Sequence, residues 1–267
     1  MRGTRGRPHL SFPRMVIGLI GAGNMGSALA RGLGEPLLVV DADPARAQAL
    51  AAELGGGALT SAAELAERAD VTVLAHKPGQ LDEVAAAVGG RAHAVASVLG
   101  GVTVAALERA YPGVPVYRFM PNLAAEVARG VVCYAPGSRA PEGPERELLE
   151  LVGRTGTVVQ LAEPLLEPAT AIAGCGPAFF ALVVEALVDA GVRHGLAPEH
   201  ARLMASETMG GTAAMLAGGE LAPAELRGRV TSPGGSTARG LEALERGGLR
   251  STFADAVAAV VGTGAGR

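Results

Sequence analysis

The chain has 267 residues, of which 49% are apolar and 18% are charged, and its formal net charge is -3. This balance is typical of a globular protein with a sizeable core, and the lack of a basic excess argues against a nucleic-acid partner. The two cysteines, Cys133 and Cys175, and the five histidines show no metal-ligand spacing. We therefore expect no metal site and a cytoplasmic location.

Residues 1–14 are basic and lack the apolar segment of a signal peptide, so we expect a disordered tail. From residue 15 to 162, short apolar runs rich in Val and Leu alternate with amphipathic stretches. In one of these stretches Ser61 and Glu64 have the spacing of a capping box. Apolar runs that alternate with helices predict a mostly parallel sheet covered on both faces, which is a doubly wound α/β domain.

The first predicted strand, VIGLI, runs directly into GAGNMG, in which Gly21, Gly23 and Gly26 have G-x-G-x-x-G spacing. At a first strand-turn-helix unit, this spacing is typical of the dinucleotide-binding turn of a Rossmann-type domain. Free N–H groups at the helix start hold the phosphates of such a cofactor. We predict that the turn binds the cofactor through Gly21, Gly23, Asn24, Met25 and Gly26.

Asp41 ends the next predicted strand, twenty residues after Gly21. A carboxylate at this position accepts hydrogen bonds from the adenosine ribose and repels a 2′-phosphate, so NADH is favoured over NADPH. Asp43 adds to that repulsion, whereas Arg46 opposes it. We predict NAD(P)H as the cofactor, with NADH preferred.

Lys77, in the segment HKPGQ, is the only lysine in the chain. It follows a predicted strand, at the end where open parallel sheets bind their ligands. A small flexible ammonium there can contact ribose hydroxyls or a phosphate, so we predict a cofactor contact, with a solvated surface lysine as the alternative. Asn122, in RFMPN at another strand end, is predicted to face the same crevice.

Beyond residue 163 the strand pattern ends and helical periodicity continues in four segments, 164–193, 198–217, 234–247 and 250–262. We therefore expect an all-helical C-terminal domain over 163–267. Its longest apolar run, PAFFALVVEALVDAGV, contains Glu185 and Asp189, so we expect a buried helix and no membrane partner. Cys175, just before this run, lacks a nearby His or acid and is interpreted as a small residue in a tight turn.

The segment VTSPGGSTARGLEALERGG, residues 230–248, places two glycines directly before hydroxyl residues and a predicted helix. Because Gly234 and Gly235 have no side chains, successive N–H groups can face one concavity, and the helix starting near Ser236 adds its dipole. Such a nest binds a small anion such as a carboxylate, and the Thr237 hydroxyl one turn inside can donate and accept. An ordinary capped helix start is the alternative.

With these motifs the chain resembles the pyrroline-5-carboxylate reductase family over residues 16–261. The resemblance rests on IGLIGAGNMGSALARGL, HKPGQ, RFMPN, AGCGPAFFALVVEALVDAGVRHGL and VTSPGGSTARGLEALERGG. It departs from the family pattern at Cys175, where serine is usual, and at His76, where an apolar residue is customary. The turn DADPAR also departs from the Asn-Arg pair of many members that prefer NADPH.

The resemblance implies a dinucleotide-binding domain followed by a helical dimerisation domain whose helices interlock between two subunits. The active site would then be completed across a homodimer, and dimers could assemble into decamers. The implied reaction passes hydride from NAD(P)H to the C=N carbon of 1-pyrroline-5-carboxylate and yields L-proline, the last step of proline biosynthesis. The substrate would bind at Ser232, Gly234, Gly235, Ser236 and Thr237. Thr237, as the catalytic residue, would hydrogen-bond the ring nitrogen.

Two other functions remain open at this point. A β-hydroxyacid dehydrogenase shares the architecture but needs a catalytic lysine on the long helix of its second domain, and no lysine follows Lys77. A non-catalytic regulatory protein that binds NAD(P) and an amino acid is the other alternative, and the sequence does not exclude it.

Overall fold

The computed structural model describes residues 15–264, so the tail expected over residues 1–14 lies outside the described residues. The chain divides into two compact units between Leu166 and Glu167. The first unit contains one eight-stranded sheet with helices, and the second unit is helical. This architecture confirms the predicted fold class.

The sheet has the strand order β3-β2-β1-β4-β5-β6-β7-β8. Strands β1 to β6 run parallel, β7 is antiparallel to β6, and β8 is parallel to β7. The strands are β1 (Ile17–Ile20), β2 (Leu38–Val40), β3 (Gly57–Ala58), β4 (Val71–Leu74), β5 (Val95–Ser97), β6 (Val116–Pro121), β7 (Gly130–Pro136) and β8 (Gly156–Gln160). The chain order reverses beside β1, between β2 and β4, which is where doubly wound sheets open a ligand crevice.

Over residues 15–166, the first unit has six α-helices: α1 (Asn24–Leu33), α2 (Pro44–Leu54), α3 (Ala62–Arg68), α4 (Leu81–Val88), α5 (Val104–Ala110) and α6 (Glu145–Val152). Side chains cap several of them, because a helix start leaves backbone N–H groups without partners. The Ser61 hydroxyl accepts from the Glu64 N–H at 3.2 Å, as the capping-box spacing predicts. Asp43 and Thr103 cap α2 and α5 in the same way.

The core of the first unit lies on both faces of the sheet. Successive strand residues belong to different clusters, as Leu19 and Ile20 do on β1, because side chains alternate across a strand. Leu29 and Val39 pack on one face, and Leu65, which is fully buried, packs on the other. The sheet is therefore covered on both faces, as its continuous apolar runs predict.

The second unit is built from helices. The chain enters it through the short helix α7 (Leu166–Ala169) and a π-helical turn, Thr170–Gly174, followed by α8 (Gly176–Arg193), α9 (Pro198–Ala217), α10 (Pro223–Arg229), α11 (Ser236–Arg246) and α12 (Leu249–Gly264). Four of these match the predicted segments. Helix α10 was not predicted, because seven residues with one glycine are too short to show a period.

Candidate functional site

The glycine-rich turn after β1 uses its three glycines for different physical reasons. Gly21 has a φ of 105°, and a Cβ there would lie 2.6 Å from the Ala75 carbonyl carbon. A Cβ on Gly26 would collide with the Gly21 carbonyl oxygen. Gly23 differs from both, because a Cβ there would meet nothing within 4 Å. The open side of the turn therefore lies at Gly23, where a ligand can approach the backbone.

Helix α1 begins at this turn without compensation for its N-terminal dipole. Its N-cap is Gly23, no side chain caps it, and its first turn holds no acidic residue. Helix geometry leaves the N–H groups of Asn24, Met25 and Gly26 without intrahelical acceptors. Such a helix start binds phosphate well, because its N–H groups and its dipole act on the same anion.

Asp41 is fixed against the glycine-rich turn. One carboxylate oxygen accepts from the Ala22 N–H at 2.6 Å, and the other accepts from the Asp43 N–H at 2.8 Å. Asp43 in turn caps α2, and the guanidinium of Arg46 lies 3.4 Å from its carboxylate. Two negative charges and one partly neutralised positive charge therefore surround the end of β2.

The loop after β4 packs directly against the glycine-rich turn, since a Cβ on Gly21 would lie 2.7 Å from the backbone nitrogen of His76. Lys77 is exposed in this loop and precedes a single 3-10 turn, Pro78–Gln80. Nδ1 of His76 lies 2.9 Å from the Lys77 carbonyl oxygen and must carry the proton in that contact. Burial lowers the pKa of His76, which favours the neutral imidazole.

Asn122 follows β6 and is only 7% exposed. Its side-chain oxygen accepts from the Val131 N–H at 3.1 Å, and its own N–H donates to the Val131 carbonyl at 3.2 Å. The amide therefore fastens the end of β6 to the start of β7. This contact gives Asn122 a role in the fold, and its contact with a cofactor stays a prediction.

An ion pair with a buried arginine was not predicted. Arg118, in the middle of β6, donates to a Glu163 carboxylate oxygen at 2.6 Å, and the Val104 N–H donates to the same oxygen at 2.6 Å. The Arg118 side chain is 8% exposed. The available signal was an arginine within the apolar run VPVYRF, since a buried charge requires a partner. Its partner lies 45 residues away, which the sequence could not indicate.

The predicted anion nest lies in the second unit, between α10 and α11. Gly234 has a φ of 68°, and the Gly235 N–H donates to the Ser232 carbonyl at 3.0 Å. Helix α11 starts at Gly235 without a side-chain cap and with no acid in its first turn. Ser236 and Thr237 are exposed, and helix geometry leaves their N–H groups without intrahelical acceptors.

The first unit brings four predicted cofactor residues to one edge of the sheet. Gly21, Asp41, Lys77 and Asn122 all follow the C-terminal ends of parallel strands. The five predicted substrate residues form a separate group in the second unit. Over residues 15–264, three or more His, Cys, Asp or Glu side chains nowhere converge in a way that could hold a metal ion.

Two family models match the chain. One described as pyrroline-5-carboxylate reductase dimerisation matches residues 163–265, and one described as NADP oxidoreductase, coenzyme F420-dependent, matches residues 16–100. The pyrroline-5-carboxylate reductase of Mycobacterium tuberculosis H37Rv is 40% identical over 281 residues, which covers 93% of this chain and 95% of that protein. The chain belongs to the pyrroline-5-carboxylate reductase family.

Solved structures of this reductase family agree with the assignment. Pyrroline carboxylate reductase of Plasmodium falciparum with NADP bound has a TM-score of 0.81 at 28% identity, over 94% of this chain and 97% of that chain. The reductase from Coxiella burnetii has a TM-score of 0.83 at 29% identity, over 94% and 97% of the two chains. As a member of this family the chain is an oxidoreductase that uses NAD(P)H, and the dehydrogenase and regulatory alternatives are disfavoured.

Family membership also explains an apolar helical segment. Among the described residues, Glu163–Arg193 is long and apolar enough to cross a membrane by length and composition, and only 11% of its apolar window is buried within the chain. This segment lies within the part of the chain that matches the dimerisation model. A homo-oligomer of the reductase offers an apolar surface to cover it.

Proposed function

We propose that this chain reduces the C=N bond of 1-pyrroline-5-carboxylate to L-proline with a nicotinamide dinucleotide, the last step of proline biosynthesis. The observation that carries the proposal is the 40% identity to a pyrroline-5-carboxylate reductase over 93% of the chain. The geometry agrees with it, because each unit has an uncapped helix start behind a glycine turn. The start of α1 in the first unit suits the cofactor phosphates, and the start of α11 in the second unit suits a carboxylate.

The cofactor pyrophosphate would bind at the open side of the first turn, on Gly21, Gly23, Asn24, Met25 and Gly26. Gly23 supports this placement, because a Cβ there would meet no protein atom within 4 Å and would point into the ligand space. Lys77 would donate to a ribose hydroxyl or a phosphate from the adjacent loop, which is exposed and packs on Gly21. Asn122 would line the same crevice from the end of β6.

NADH is the preferred cofactor in this proposal because Asp41 is held at the glycine-rich turn. Its carboxylate, fixed by the Ala22 and Asp43 N–H groups, is placed to accept from the adenosine ribose. A 2′-phosphate there would meet two carboxylates, and a nearby cation, Arg46, lies beside Asp43. The preference therefore follows from local charge.

Steady-state kinetics with both cofactors tests this preference. The wild type is expected to have the higher kcat/KM with NADH, and Asp41→Ser is expected to shift the ratio towards NADPH by about tenfold, since it removes one close charge repulsion. Glu35→Ser, at an exposed pair with Arg154, serves as the matched control and should leave the ratio unchanged. A wild type that prefers NADPH would refute the assignment of Asp41.

The substrate carboxylate would bind the nest formed by Ser232, Gly234, Gly235 and Ser236. Thr237 would hydrogen-bond the ring nitrogen and so set which ring carbon meets the nicotinamide. Because an imine nitrogen is protonated readily, the site needs orientation and carboxylate anchoring more than a strong general acid. The cofactor supplies the hydride, and the residues of the chain supply the geometry.

An assay of NAD(P)H oxidation with 1-pyrroline-5-carboxylate tests the activity itself. Thr237→Ala is expected to lower kcat/KM by about 10²-fold, and Thr237→Ser, which keeps the hydroxyl, should retain most of it. A wild type that does not turn over with either cofactor would exclude the reductase activity. An unaffected Thr237→Ala variant would leave the activity in place and remove the role of Thr237.

Lys77→Arg tests whether a compact ammonium is required after β4. We expect the Michaelis constant for the cofactor to rise about threefold, because a planar guanidinium fills the crevice that a flexible ammonium leaves open. Arg91→Lys is the control, since Arg91 is an exposed residue outside the crevice. Equal Michaelis constants for the cofactor in Lys77→Arg and the wild type would favour the alternative, in which Lys77 is a solvated surface residue.

We propose that residues 15–162 form the dinucleotide-binding domain and that residues 163–267 form the substrate and dimerisation domain. We further propose a homodimer formed through the C-terminal helices, assembly of dimers up to a decamer, and a cytoplasmic location. The exposed apolar residues of the second unit support the dimer. Light scattering of the purified chain measures the assembly size.

A further inference from the structure

Arg239 lies in the second turn of α11 and reaches back over the start of its own helix. Its Nη1 atom donates to the Gly234 carbonyl oxygen at 2.8 Å. Arg246 and Arg250, which also lie beyond the nest, pair with the carboxylates of Glu242 and Glu245. For Arg239, the described residues provide no such carboxylate partner, and its described contact is with the backbone.

The contact fixes one particular peptide group. The peptide between Gly234 and Gly235 is held at both ends, since its N–H donates to the Ser232 carbonyl at 3.0 Å and its carbonyl accepts from Arg239. This peptide directly precedes the first free N–H groups of α11. Its orientation therefore decides whether the Gly234 carbonyl oxygen points away from the nest or into it.

A peptide between two glycines is the least restrained kind in a protein chain. Gly234 has a φ of 68°, and both flanking residues can reach either sign of φ without a Cβ penalty. Reversal of this peptide would turn the Gly234 carbonyl oxygen, with its partial negative charge, towards the bound carboxylate. The hydrogen bond from Arg239 to the Gly234 carbonyl opposes that reversal.

The charge of Arg239 is also unusual at this place. A cation near a helix N-terminus is unfavourable, because the dipole there is already positive and anions are what stabilise it. Arg239 therefore adds to the positive potential at the nest, which a bound carboxylate would relieve. This arrangement suits a site that is completed by its anionic ligand.

We infer that Arg239 is a positioning residue for substrate binding, which holds the Gly234–Gly235 peptide so that the nest presents N–H groups to the substrate carboxylate. The inference rests on the proposed function of the nest. Arg239 acts on the substrate through the Gly234 carbonyl. Its loss changes how well the carboxylate binds and leaves the cofactor turn in the first unit unaffected.

The test compares Arg239→Met, which keeps an apolar stem of similar length without a donor, with Arg239→Lys, which restores a donor. For Arg239→Met we expect the KM for 1-pyrroline-5-carboxylate and the inhibition constant of L-proline to rise about fivefold, the loss of one charge-assisted hydrogen bond. The kcat and the KM for the cofactor should stay within about twofold. Arg239→Lys should recover most of the substrate affinity.

Two controls separate this role from others. Arg246→Met removes an arginine from the same helix, where its exposed pair with Glu242 is 3.5 Å long, and should leave every constant unchanged. The KM for 1-pyrroline-5-carboxylate of Arg239→Met should stay about fivefold above that of the wild type from about 50 to 500 mM salt. A hydrogen bond is screened by salt much less than the interaction with a distant charge. A ratio that falls to one at high salt, or an Arg239→Met variant with wild-type KM, would overturn the inference. Absence of turnover in the wild type would instead contradict the proposed reductase activity.

Discussion

The two units of the chain differ in where their apolar side chains lie. The first unit buries them in two clusters, one on each face of its sheet. In the second unit, only three apolar residues among those described are buried: Ala171, Ala201 and Leu226. Twelve large apolar side chains of that unit are exposed: Ile172, Phe180, Leu182, Leu187, Val192, Leu196, Leu203, Met204, Met215, Val230, Leu244 and Leu249.

The two units are therefore stabilised in different ways. A sheet covered by helices on both faces closes its core within one chain. Helices such as α8 carry apolar residues on several sides, so they need apolar neighbours beyond the ones that their own chain supplies. The second unit is therefore built to be completed by another copy, in agreement with its match to a dimerisation model.

The largest expected effect comes from a charge on the exposed apolar surface of the second unit. Leu182, which is 65% exposed, should be buried in the dimer, so Leu182→Glu places an unpaired carboxylate at the interface twice. We expect the dimer dissociation constant to rise by at least ~1,000-fold. Analytical ultracentrifugation over a dilution series measures it.

The matched control lies in the first unit. Val127 is 70% exposed there, and Val127→Glu should leave the dimer dissociation constant within about twofold. If the two variants dissociate equally, or if Leu182→Glu remains a dimer, the exposed apolar residues around Leu182 do not form the dimer interface.

An intermediate effect is expected in the closed core of the first unit. Leu65 is fully buried and lies where Gly18 has no side chain, so Leu65→Ala leaves a cavity. We expect a loss of about 3 kcal/mol in the free energy of unfolding, with an unchanged dimer dissociation constant. Val159→Ala, at a site that is 36% exposed, should cost under ~1 kcal/mol. Denaturant unfolding measures both, and equal losses would show that this face of the sheet is not closed.

The smallest expected effect concerns the ion pair between Arg118 and Glu163. Glu163→Ala leaves the buried guanidinium of Arg118 and the Val104 N–H without their acceptor. We expect the free energy of unfolding to fall by about 2 kcal/mol. The loss is moderate because Glu163 is 31% exposed and therefore partly solvated. Glu242→Ala breaks an exposed pair with Arg246 and should cost under ~0.5 kcal/mol. Thermal unfolding distinguishes them, and similar melting temperatures would mean that burial adds nothing to the Arg118 pair.

Most strands were predictable, because each fully buried one appears as a continuous apolar run. The exception is β3, whose two residues, Gly57 and Ala58, carry no such pattern and pair with β2 through backbone hydrogen bonds. The reversed direction of β7 was also not predictable. Strand direction depends on which neighbour supplies the backbone partners, and apolar periodicity is the same in either direction.

The candidate site was predictable in its glycines and less so in its polar contacts. The spacing of Gly21, Gly23 and Gly26 predicted a dinucleotide-binding turn, and in the structure a Cβ would collide at Gly21 and Gly26 but not at Gly23. The carboxylate of Asp41 was expected to face a ribose, and its contact with the Ala22 N–H was not foreseen. Asn122 was expected in the crevice, and its bond to Val131 depends on the antiparallel pairing of β6 with β7, which no local pattern indicated.

The fold class, the family and the two glycine turns could all be predicted from residue types at short fixed spacings. The tertiary structure alone decided which distant groups meet, such as Arg118 with Glu163 and Asp41 with Ala22. It also decided which apolar residues of the second unit stay exposed. Short-range patterns record local backbone preferences, whereas pairing and burial depend on how the whole chain packs.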